Sequence, residues 1–398
     1  MVTYPENWIP MKLKDLGCIQ MCRRIFQSQT KAYGEIPFYK ISTFGDKADS
    51  YIPEELYKRY KMLYPYPEKG DVLISAAGTI GKTIIFDGKD AYFQDSNIVW
   101  LKVNDKIDRN FLWWFYRSYP WNALEGTTIQ RLYNNIILNT EIHLPEKTEQ
   151  INIAKTLSKF DTYIDDLAEL IEKKRNIRDG ALEDLICQRT RMEGFTGEWA
   201  NVSFNQVITP KARIGWQGLK KYEYLKSGYS YLIGGTDFEH GTVSLDNISF
   251  VSQERYDMDV NIQVSENDVL VTKDGTIGKV AIVPCLEKPA TLNSGVFVFR
   301  TNDRLMPTFL YRVLLSSVFK GFIDTLSAGS TIKHLYQKDL KDFEFKMPVD
   351  LEEQKAIADV LTAMDEEVEA LENEQNKMIQ IREGAMDDLL TGRIRLNL

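Results

Sequence analysis

The chain has 398 residues, of which 43% are hydrophobic and 12% aromatic, and it carries a net charge of −8. This composition argues against a disordered chain and supplies cores for two or three domains, and no run of about 18 apolar residues is present to cross a membrane. The N-terminus lacks a basic start followed by an apolar block, which indicates no secretory signal, so we expect a cytoplasmic protein.

The negative charge is concentrated in residues 350–398, which contain 13 acidic and 5 basic residues. Residues 1–145 contain 18 basic and 16 acidic residues, and residues 198–349 contain 17 of each. A near-neutral domain can still present a basic face. The overall charge therefore does not exclude a nucleic-acid partner.

Residues 1–145 predict a mixed α/β domain. Short β-branched runs such as "DVLISAAG", "TIIFDG" and "NIVWL" are bounded by turn residues and are typical of strands. The stretch "RNFLWWFYRSYP" is typical of a helix. This domain is the first of four predicted segments.

The stretch "ISAAGTIGKT" at residues 74–83 looks like a loop that cradles nucleotide phosphates. That motif requires a glycine at position 76, where this chain has Ala76. We therefore expect a tight turn instead of an ATPase site, with glycines that permit unusual backbone angles. Two interpretations stay open: a turn with a solvated lysine, or a lysine and backbone amides directed at the phosphates of another molecule.

Residues 146–193 predict a long helix. Apolar residues step by alternating 4 and 3 from Ile153 to Leu185, the heptad pattern of a coiled coil, and Pro145 stands just before the helix. Residues 194–348 again read as mixed α/β, and residues 349–398 predict a second long helix with the same seam from Ile357 to Leu389. Lys174, Arg178, Gln375 and Arg382 interrupt the two seams, and polar seam residues can fix register.

The whole pattern is an internal repeat of about 200 residues. "GDVLISAAGTIGKTIIF" (70–86) matches "NDVLVTKDGTIGKVAIV" (267–283), "GTTIQRLY" (126–133) matches "GSTIKHLY" (329–336), and "RDGALEDLICQR" (178–189) matches "REGAMDDLLTGR" (382–393). In the second copy the phosphate-loop motif fails twice, at Lys273 and at Val280. The connectivity predicts an antiparallel pair of long helices, a pseudo-twofold repeat and one globular domain at each end of the helix pair.

The duplicated motifs resemble the specificity subunit of bacterial Type I restriction–modification systems. The resemblance rests on the tryptophans that open each unit (Trp8 and Trp199), the two "DVL…GTIGK" loops, the "GTTIQRLY" and "GSTIKHLY" stretches and the two helix ends, and it covers essentially the entire chain. It implies an α/β fold with two target-recognition domains joined by two long antiparallel coiled-coil helices. It also implies recognition of double-stranded DNA, one half of a split, asymmetric site by each domain.

The resemblance further implies two methyltransferase (modification) subunits and motor-nuclease (restriction) subunits as partners, and no catalytic activity of the chain's own. The sequence itself predicts no membrane association, and no Gly-rich cofactor fingerprint follows a predicted strand, so we expect no cofactor. The segments "CRRIFQSQTKAYGEIPFYK" and "PKARIGWQGLKKYEYLKSG" have no close match to each other, which predicts different half-sites. No Pro-Pro of a methylase motif occurs, and Glu172-Lys173-Lys174, which mimics part of a nuclease signature, falls in the helical segment.

DNA contacts are expected from basic and small polar side chains near the repeated loops and the divergent segments. The candidates are Arg23, Arg24, Lys31, Thr79, Lys82, Gln130, Lys211, Arg213, Lys220, Lys221, Lys273, Thr276, Lys279 and Lys333. Phe26, Tyr33, Trp216 and Tyr222 lie next to them in the sequence and offer base or sugar contacts.

Two other classes of protein remain as alternatives: an adaptor with two α/β domains on a coiled coil that binds no DNA, and a nucleotide hydrolase. No metal site is expected, because only Cys18 and Cys22 are close in sequence and zinc needs four ligands. The four cysteines are expected to be ordinary buried thiols.

Overall fold

The computed structural model describes residues 4–121, 131–214, 218–328 and 334–396. The chain divides into two compact units, the first comprising Met1–Ala168 with Asn373–Leu398 and the second Glu169–Glu372. Each unit therefore contains one α/β part and a segment of each of two long helices.

The helices in chain order are α1 Glu54–Leu63, α2 Arg109–Ser118, α3 Asn134–Asn139, α4 Lys147–Ile186, α5 Phe204–Val207, α6 Gln253–Asp257, α7 Pro307–Leu315, α8 Ser317–Ala328, α9 Gln337–Leu340 and α10 Leu351–Thr391. The strands of the first unit are β1 Ile9–Lys12, β2 Gly17–Gln20, β3 Ile36–Tyr39, β4 Tyr51–Ile52, β5 Val72–Ser75, β6 Thr83–Ile85, β7 Tyr92–Phe93, β8 Ile98–Val103 and β9 Glu141–Leu144. Those of the second unit are β10 Trp199–Ser203, β11 Ile208–Ala212, β12 Ser230–Ile233, β13 Phe238–Glu239, β14 Thr242–Val243, β15 Ser249–Val251, β16 Gln263–Val264, β17 Val269–Thr272, β18 Val280–Ile282, β19 Ala290–Leu292, β20 Val296–Thr301 and β21 Glu344–Pro348.

The two units repeat the same sheet topology. In the first, an antiparallel sheet has the order β2-β8-β5-β6, a smaller sheet has the order β4-β3-β7, and β1 pairs with β9. In the second, the same connections give β11-β20-β17-β18 and β15-β12-β19, with β10 paired to β21 and with β13, β14 and β16 added at sheet edges. The parallel pairs β3–β7 and β12–β19 also correspond. The sequence repeat is thus a repeat of fold.

The central strands are buried on both faces, which explains their continuous apolar runs. Every residue of β5 and of β17 is buried, and one core cluster of each unit continues into the long helices. Ile153, Leu157 and Leu389 join the core of the first unit. Ile357 and Leu361 join that of the second.

The long helices run antiparallel within each unit. In the first unit, Gln375 donates to the Ile164 carbonyl at 3.1 Å and Arg382 pairs with Asp161 at 2.9 Å. In the second, Lys174 pairs with Glu367 at 2.5 Å. Residue numbers rise on one helix as they fall on the other, so the predicted antiparallel pairing is confirmed, and these polar seam residues make contacts between the helices.

Both long helices end before the segments predicted for them do. The sequence predicts one helix over residues 349–398, but α10 ends at Thr391, and the next residue, Gly392, has a left-handed φ of +71°. It predicts the other helix over residues 146–193, but α4 ends at Ile186, and Gln188 has a φ of +58°. A left-handed residue just beyond the last turn is a common helix terminator.

Candidate nucleic-acid interface

The repeated loop of the first unit, residues 75–82 (loop 1), is a tight turn between β5 and β6. The Lys82 carbonyl accepts from the Ser75 amide at 2.9 Å, and the Ser75 carbonyl accepts from the Gly81 amide at 3.0 Å. The Ser75 hydroxyl donates to the Thr79 carbonyl at 2.5 Å. Gly78 and Gly81 have φ values of +62° and +85°, a region that favours glycine. Thr79 lies exposed at the tip.

The repeated loop of the second unit, residues 272–279 (loop 2), has the same hydrogen bonds. The Thr272 amide donates to the Lys279 carbonyl and the Gly278 amide to the Thr272 carbonyl, both at 2.9 Å. The Thr272 hydroxyl donates to the carbonyl of Thr276, as Ser75 does in loop 1. A phosphate loop leads from a strand into a helix, whereas both of these loops join antiparallel strands. The geometry therefore agrees with a tight turn.

The lysine at the end of each loop, Lys82 in loop 1 and Lys279 in loop 2, contacts a neighbouring segment of its own unit. The Lys82 ammonium pairs with Asp46 at 2.8 Å, and the Lys279 ammonium donates to the Phe238 carbonyl. Asp46 and Phe238 lie in corresponding segments, after β3 and after β12. Each lysine therefore has a partner within its own unit, and both remain exposed to solvent.

Replacing Gly81 by alanine is expected to lower the free energy of unfolding of the first unit by about 1–2 kcal/mol. The φ of +85° strains an L-residue, and the added Cβ would lie 2.6 Å from Trp121 Cδ1. Urea unfolding monitored by hydrogen exchange of β5 and β6 measures the loss. The control is Gly384→Ala in α10, where nothing lies within 4 Å, and which should stabilise the chain by about 0.5–1 kcal/mol. Equal effects of the two changes would contradict this explanation of the loop.

Two arginines predicted to contact DNA line one groove in the first unit. Arg23 lies 5.2 Å over the Tyr64 ring and the Arg24 Nε donates to Asp95 at 2.8 Å. The groove has a volume of about 500 Å³. Lys31 is exposed and bonds through its backbone to Tyr51 at the edge of the smaller sheet. The groove is therefore the clearest grouping of the first unit's candidates.

The candidates of the second unit have more varied surroundings. Lys220 and Lys221 are exposed, and Thr276 is exposed at the tip of loop 2. Lys211 is half-buried on β11, and Lys273 lies 5.6 Å from the Phe297 ring. These five residues keep surface to offer a ligand.

Arg213 belongs to the core of the second unit. Its residue is 3% exposed, and its Nε and Nη2 donate to the Leu292 carbonyl at 3.0 and 2.8 Å. Burial and the neighbouring Arg255 cation lower the pKa of Arg213. Its side chain therefore has almost no surface with which to meet a partner.

Three residues singled out in the sequence lie outside the described residues: Gln130, Lys333 and Trp216. Of the other aromatic residues named with the candidates, Phe26, Tyr33 and Tyr222 are all exposed. Large exposed rings beside basic residues are suited to contacts with bases and sugars.

A neighbouring turn bonds to the repeated loop of each unit, and a carboxylate pairs with a histidine in the second. The sequence did not indicate these contacts. In the first unit, the turn 94–97 bonds to loop 1, because the Ala76 amide donates to the Asn97 carbonyl at 2.7 Å. In the second, the Lys273 amide donates to the Gly295 carbonyl at 2.8 Å, and His334 pairs with Asp274 beside loop 2. These partners lie more than 20 residues apart in the chain, and no local pattern indicates them.

The cysteines are not all buried. Cys22 is buried, and burial raises the pKa of its thiol to about 12, whereas Cys18 and Cys285 are exposed. The prediction of buried thiols is wrong for these two, since Cys18 lies on edge strand β2 and Cys285 follows β18 in a loop. In the part of the chain that the structure describes, no three His, Cys, Asp or Glu side chains gather as metal ligands. No helix within the same ranges is both long and apolar enough to cross a bilayer.

The chain is similar in sequence to one family of known proteins. The family model described as the Type I restriction modification DNA specificity domain matches residues 5–176 and 215–380. A putative type I restriction enzyme specificity subunit of Haemophilus influenzae is 49% identical over 160 residues, which are 40% of this chain and 42% of that protein. A putative type I restriction enzyme specificity subunit of Methanocaldococcus jannaschii is 26% identical over 423 residues, covering 98% of this chain and 95% of that protein.

The fold is also that of a solved structure. The crystal structure of a Type I restriction–modification system S subunit from M. genitalium matches with a TM-score of 0.61 and 18% identity, over 98% of this chain and 97% of that chain. The chain thus spans less than half of the H. influenzae relative but nearly all of the other two proteins.

Proposed function

Because the chain belongs to the family of the Type I restriction modification DNA specificity domain, we propose that it reads a bipartite, asymmetric DNA sequence for a restriction–modification complex. Each α/β part reads one half of the site. The observation that carries the proposal is the duplicated loop: the same turn, with the same hydrogen bonds, stands in both units next to surfaces that differ.

The shared and the divergent features have different roles in this proposal. Phosphate contacts position a protein on DNA without reading the sequence, and base contacts specify it. The common loops, with Thr79 and Thr276 exposed at their tips, suit the first role. The divergent segments suit the second, with Arg23, Arg24 and Lys31 in one unit and Lys220 and Lys221 in the other.

We assign the long helices to spacing and to docking. Segments of α4 and α10 pair in both units, and heptad packing keeps the a and d residues of paired helices facing each other. The helices would set the separation of the half-sites and offer surfaces to two methyltransferase subunits, with restriction subunits joining for cleavage. The α/β parts are near neutral, so the partner subunits would supply part of the electrostatic attraction to DNA.

The chain contributes recognition in this scheme, and the partner subunits contribute chemistry. Loops 1 and 2 resemble phosphate loops in sequence, but each joins two antiparallel strands. We therefore do not assign nucleotide hydrolysis to either loop. Catalytic methyl transfer and cleavage belong to the other subunits of the complex.

Mapping of DNA methylation tests the proposal. In cells that express this chain together with its modification subunits, we expect methylation within one motif made of two defined parts separated by unspecified bases. The two parts should not be inverted copies of each other, because the reading surfaces differ. Cells with the modification subunits alone are the control and should lack the motif. A continuous or palindromic motif, or methylation independent of this chain, would refute the proposal.

A further inference from the structure

Arg24 is an exposed arginine whose Nε is hydrogen-bonded to a carboxylate of its own unit. Its side chain is 62% exposed, and its Nε donates to Asp95 Oδ2 at 2.8 Å. Within the described residues its guanidinium makes no other hydrogen bond or ion pair. The two terminal amino groups of the guanidinium therefore remain available in a fixed orientation.

Asp95 is a rigid support for this arginine. The Asp95 side chain is 15% exposed. The residue lies in the turn 94–97, which connects β7 to β8. Three further bonds fix the turn: Ala76 N to the Asn97 carbonyl at 2.7 Å, Ile41 N to Gln94 Oε1 at 2.9 Å, and an Arg131 bond to the Ser96 carbonyl at 2.9 Å. The same turn thus holds Arg24 on one side and loop 1 on another.

The surroundings of Arg24 suit the edge of a base. Phe26, 60% exposed, and Tyr64 line the same groove, and Arg23 lies over the Tyr64 ring. A groove that combines guanidinium groups with apolar rings offers both hydrogen-bond donors and apolar contacts to the edges of bases.

Among the described residues, the second unit shows no arginine paired in this way with a carboxylate of the corresponding turn. Its corresponding turn, residues 293–295, is one residue shorter and has no carboxylate. There the Tyr224 hydroxyl donates to Asn293 Oδ1 at 3.2 Å, and Arg213 is buried against Leu292. Within the residues that the structure describes, this pairing occurs in the first unit only, which fits a role in sequence choice better than a role in the phosphate contacts proposed for both units.

We propose that Arg24 reads a guanine in the half-site of the first unit, with Asp95 as its positioning residue. The inference rests on the proposed function. With Nε held by Asp95, the two terminal amino groups donate to guanine O6 and N7, the bidentate contact in which arginine distinguishes guanine from the other bases. Asp95 acts only through Arg24.

The test uses the complete methyltransferase complex and has two readouts. Methylation mapping gives the motif of each variant, and binding titrations compare the wild-type duplex with duplexes substituted at single positions. The variants are Arg24→Ala, Arg24→Lys and Asp95→Asn. The control is Lys58→Ala, which removes a similarly exposed cation of the same unit, with a side chain that is 68% exposed and paired with Glu54 at 2.8 Å.

We expect Arg24→Ala to relax the requirement for guanine at one position of one half-site. Discrimination at that position should fall roughly 5- to 150-fold, with the other half-site unchanged. Asp95→Asn should relax the same position more weakly, and Arg24→Lys should retain binding with reduced discrimination, because lysine lacks the planar fork. Lys58→Ala should leave the motif unchanged.

Three results would overturn the assignment of Arg24: an unchanged motif for Arg24→Ala, an equal loss of binding on all duplexes, or a half-site without a guanine. If Arg24→Ala does not assemble, Arg24→Lys and Asp95→Asn decide by the same criteria. If the wild-type complex methylates no defined sequence, the proposed function itself is wrong. If the wild-type complex methylates a defined motif but the Arg24 variants do not change it, only the assignment of Arg24 is wrong.

Discussion

Replacing Arg395 by alanine is expected to destabilise the first unit by about 2–3 kcal/mol, because the change leaves a buried carboxylate without its cation. The Arg395 Nε and Nη2 donate to the two carboxylate oxygens of Glu149 at 2.5 and 2.8 Å, and Nη1 donates to Asn7 at 3.1 Å. The Glu149 side chain is only 4% exposed. Arg395 itself is partly exposed, and solvent screening reduces the loss.

The control for this prediction lies two residues away. Arg393 pairs with Asp387 and Asp388 on the surface of the same unit, and Arg393→Ala should change stability little. Adding Glu149→Gln to Arg395→Ala should restore part of the loss, because it removes the unpaired buried charge. Urea unfolding followed by hydrogen exchange reports each unit separately. Equal losses for the Arg393 and Arg395 variants would show that the buried carboxylate is not the cause.

The second unit contains the matching ion pair and is therefore the internal reference. Arg191 binds both oxygens of Glu353 at 2.9 Å, and the Trp199 indole donates to the same carboxylate at 3.1 Å. This pair should be unaffected by Arg395→Ala, so hydrogen exchange in the second unit should not change. Both units thus contain the same ion pair. An arginine that follows one long helix binds a buried glutamate in the first turn of the other long helix.

The features that the sequence predicted depend on local periodicity. The heptad seams identified both long helices, and the repeated Gly-Thr-Ile-Gly-Lys motif identified loops 1 and 2, because spacing within one element is visible in the chain. Even the polar interruptions of the seam were visible as exceptions, and Gln375 and Arg382 make contacts between the helices. Repetition strengthened each of these inferences, since the same pattern had to fold in the same way twice.

The features that escaped prediction depend on partners far apart in the chain. The sequence makes Arg213 a candidate for DNA contact, but the arginine is buried against Leu292, which lies 79 residues away. The sequence also makes Arg24 a candidate, but it does not indicate that Asp95, 71 residues away, pairs with this arginine. Charge and residue type indicate that a side chain can bind DNA, but burial and ion pairing decide whether it is free to do so. Only tertiary structure supplies these.

A shared carboxylate underlies the second large expected effect: Asp365→Ala should destabilise the second unit by about 3 kcal/mol. Asp365 accepts from Arg312 of α7 at 2.5 Å and from Arg178 of α4 at 3.1 Å. The Arg312 side chain is 6% exposed, so removing Asp365 leaves a buried cation facing a second cation. The Thr362 hydroxyl, which accepts from Arg312 at 2.7 Å, cannot neutralise that charge.

The equivalent aspartate of the first unit provides a graded comparison. Asp161 is shared by Arg117 at 2.5 Å and Arg382 at 2.9 Å. Arg117 is more exposed than Arg312 and lies within 5 Å of two tryptophan rings, so Asp161→Ala should cost less than Asp365→Ala. Asp359→Ala, which removes an exposed aspartate of α10 paired with Lys355, should change stability little. Calorimetric or urea unfolding of the three variants gives the order, and a loss for Asp359→Ala as large as that for Asp365→Ala would show that the shared carboxylate does not join α7 to the long helices.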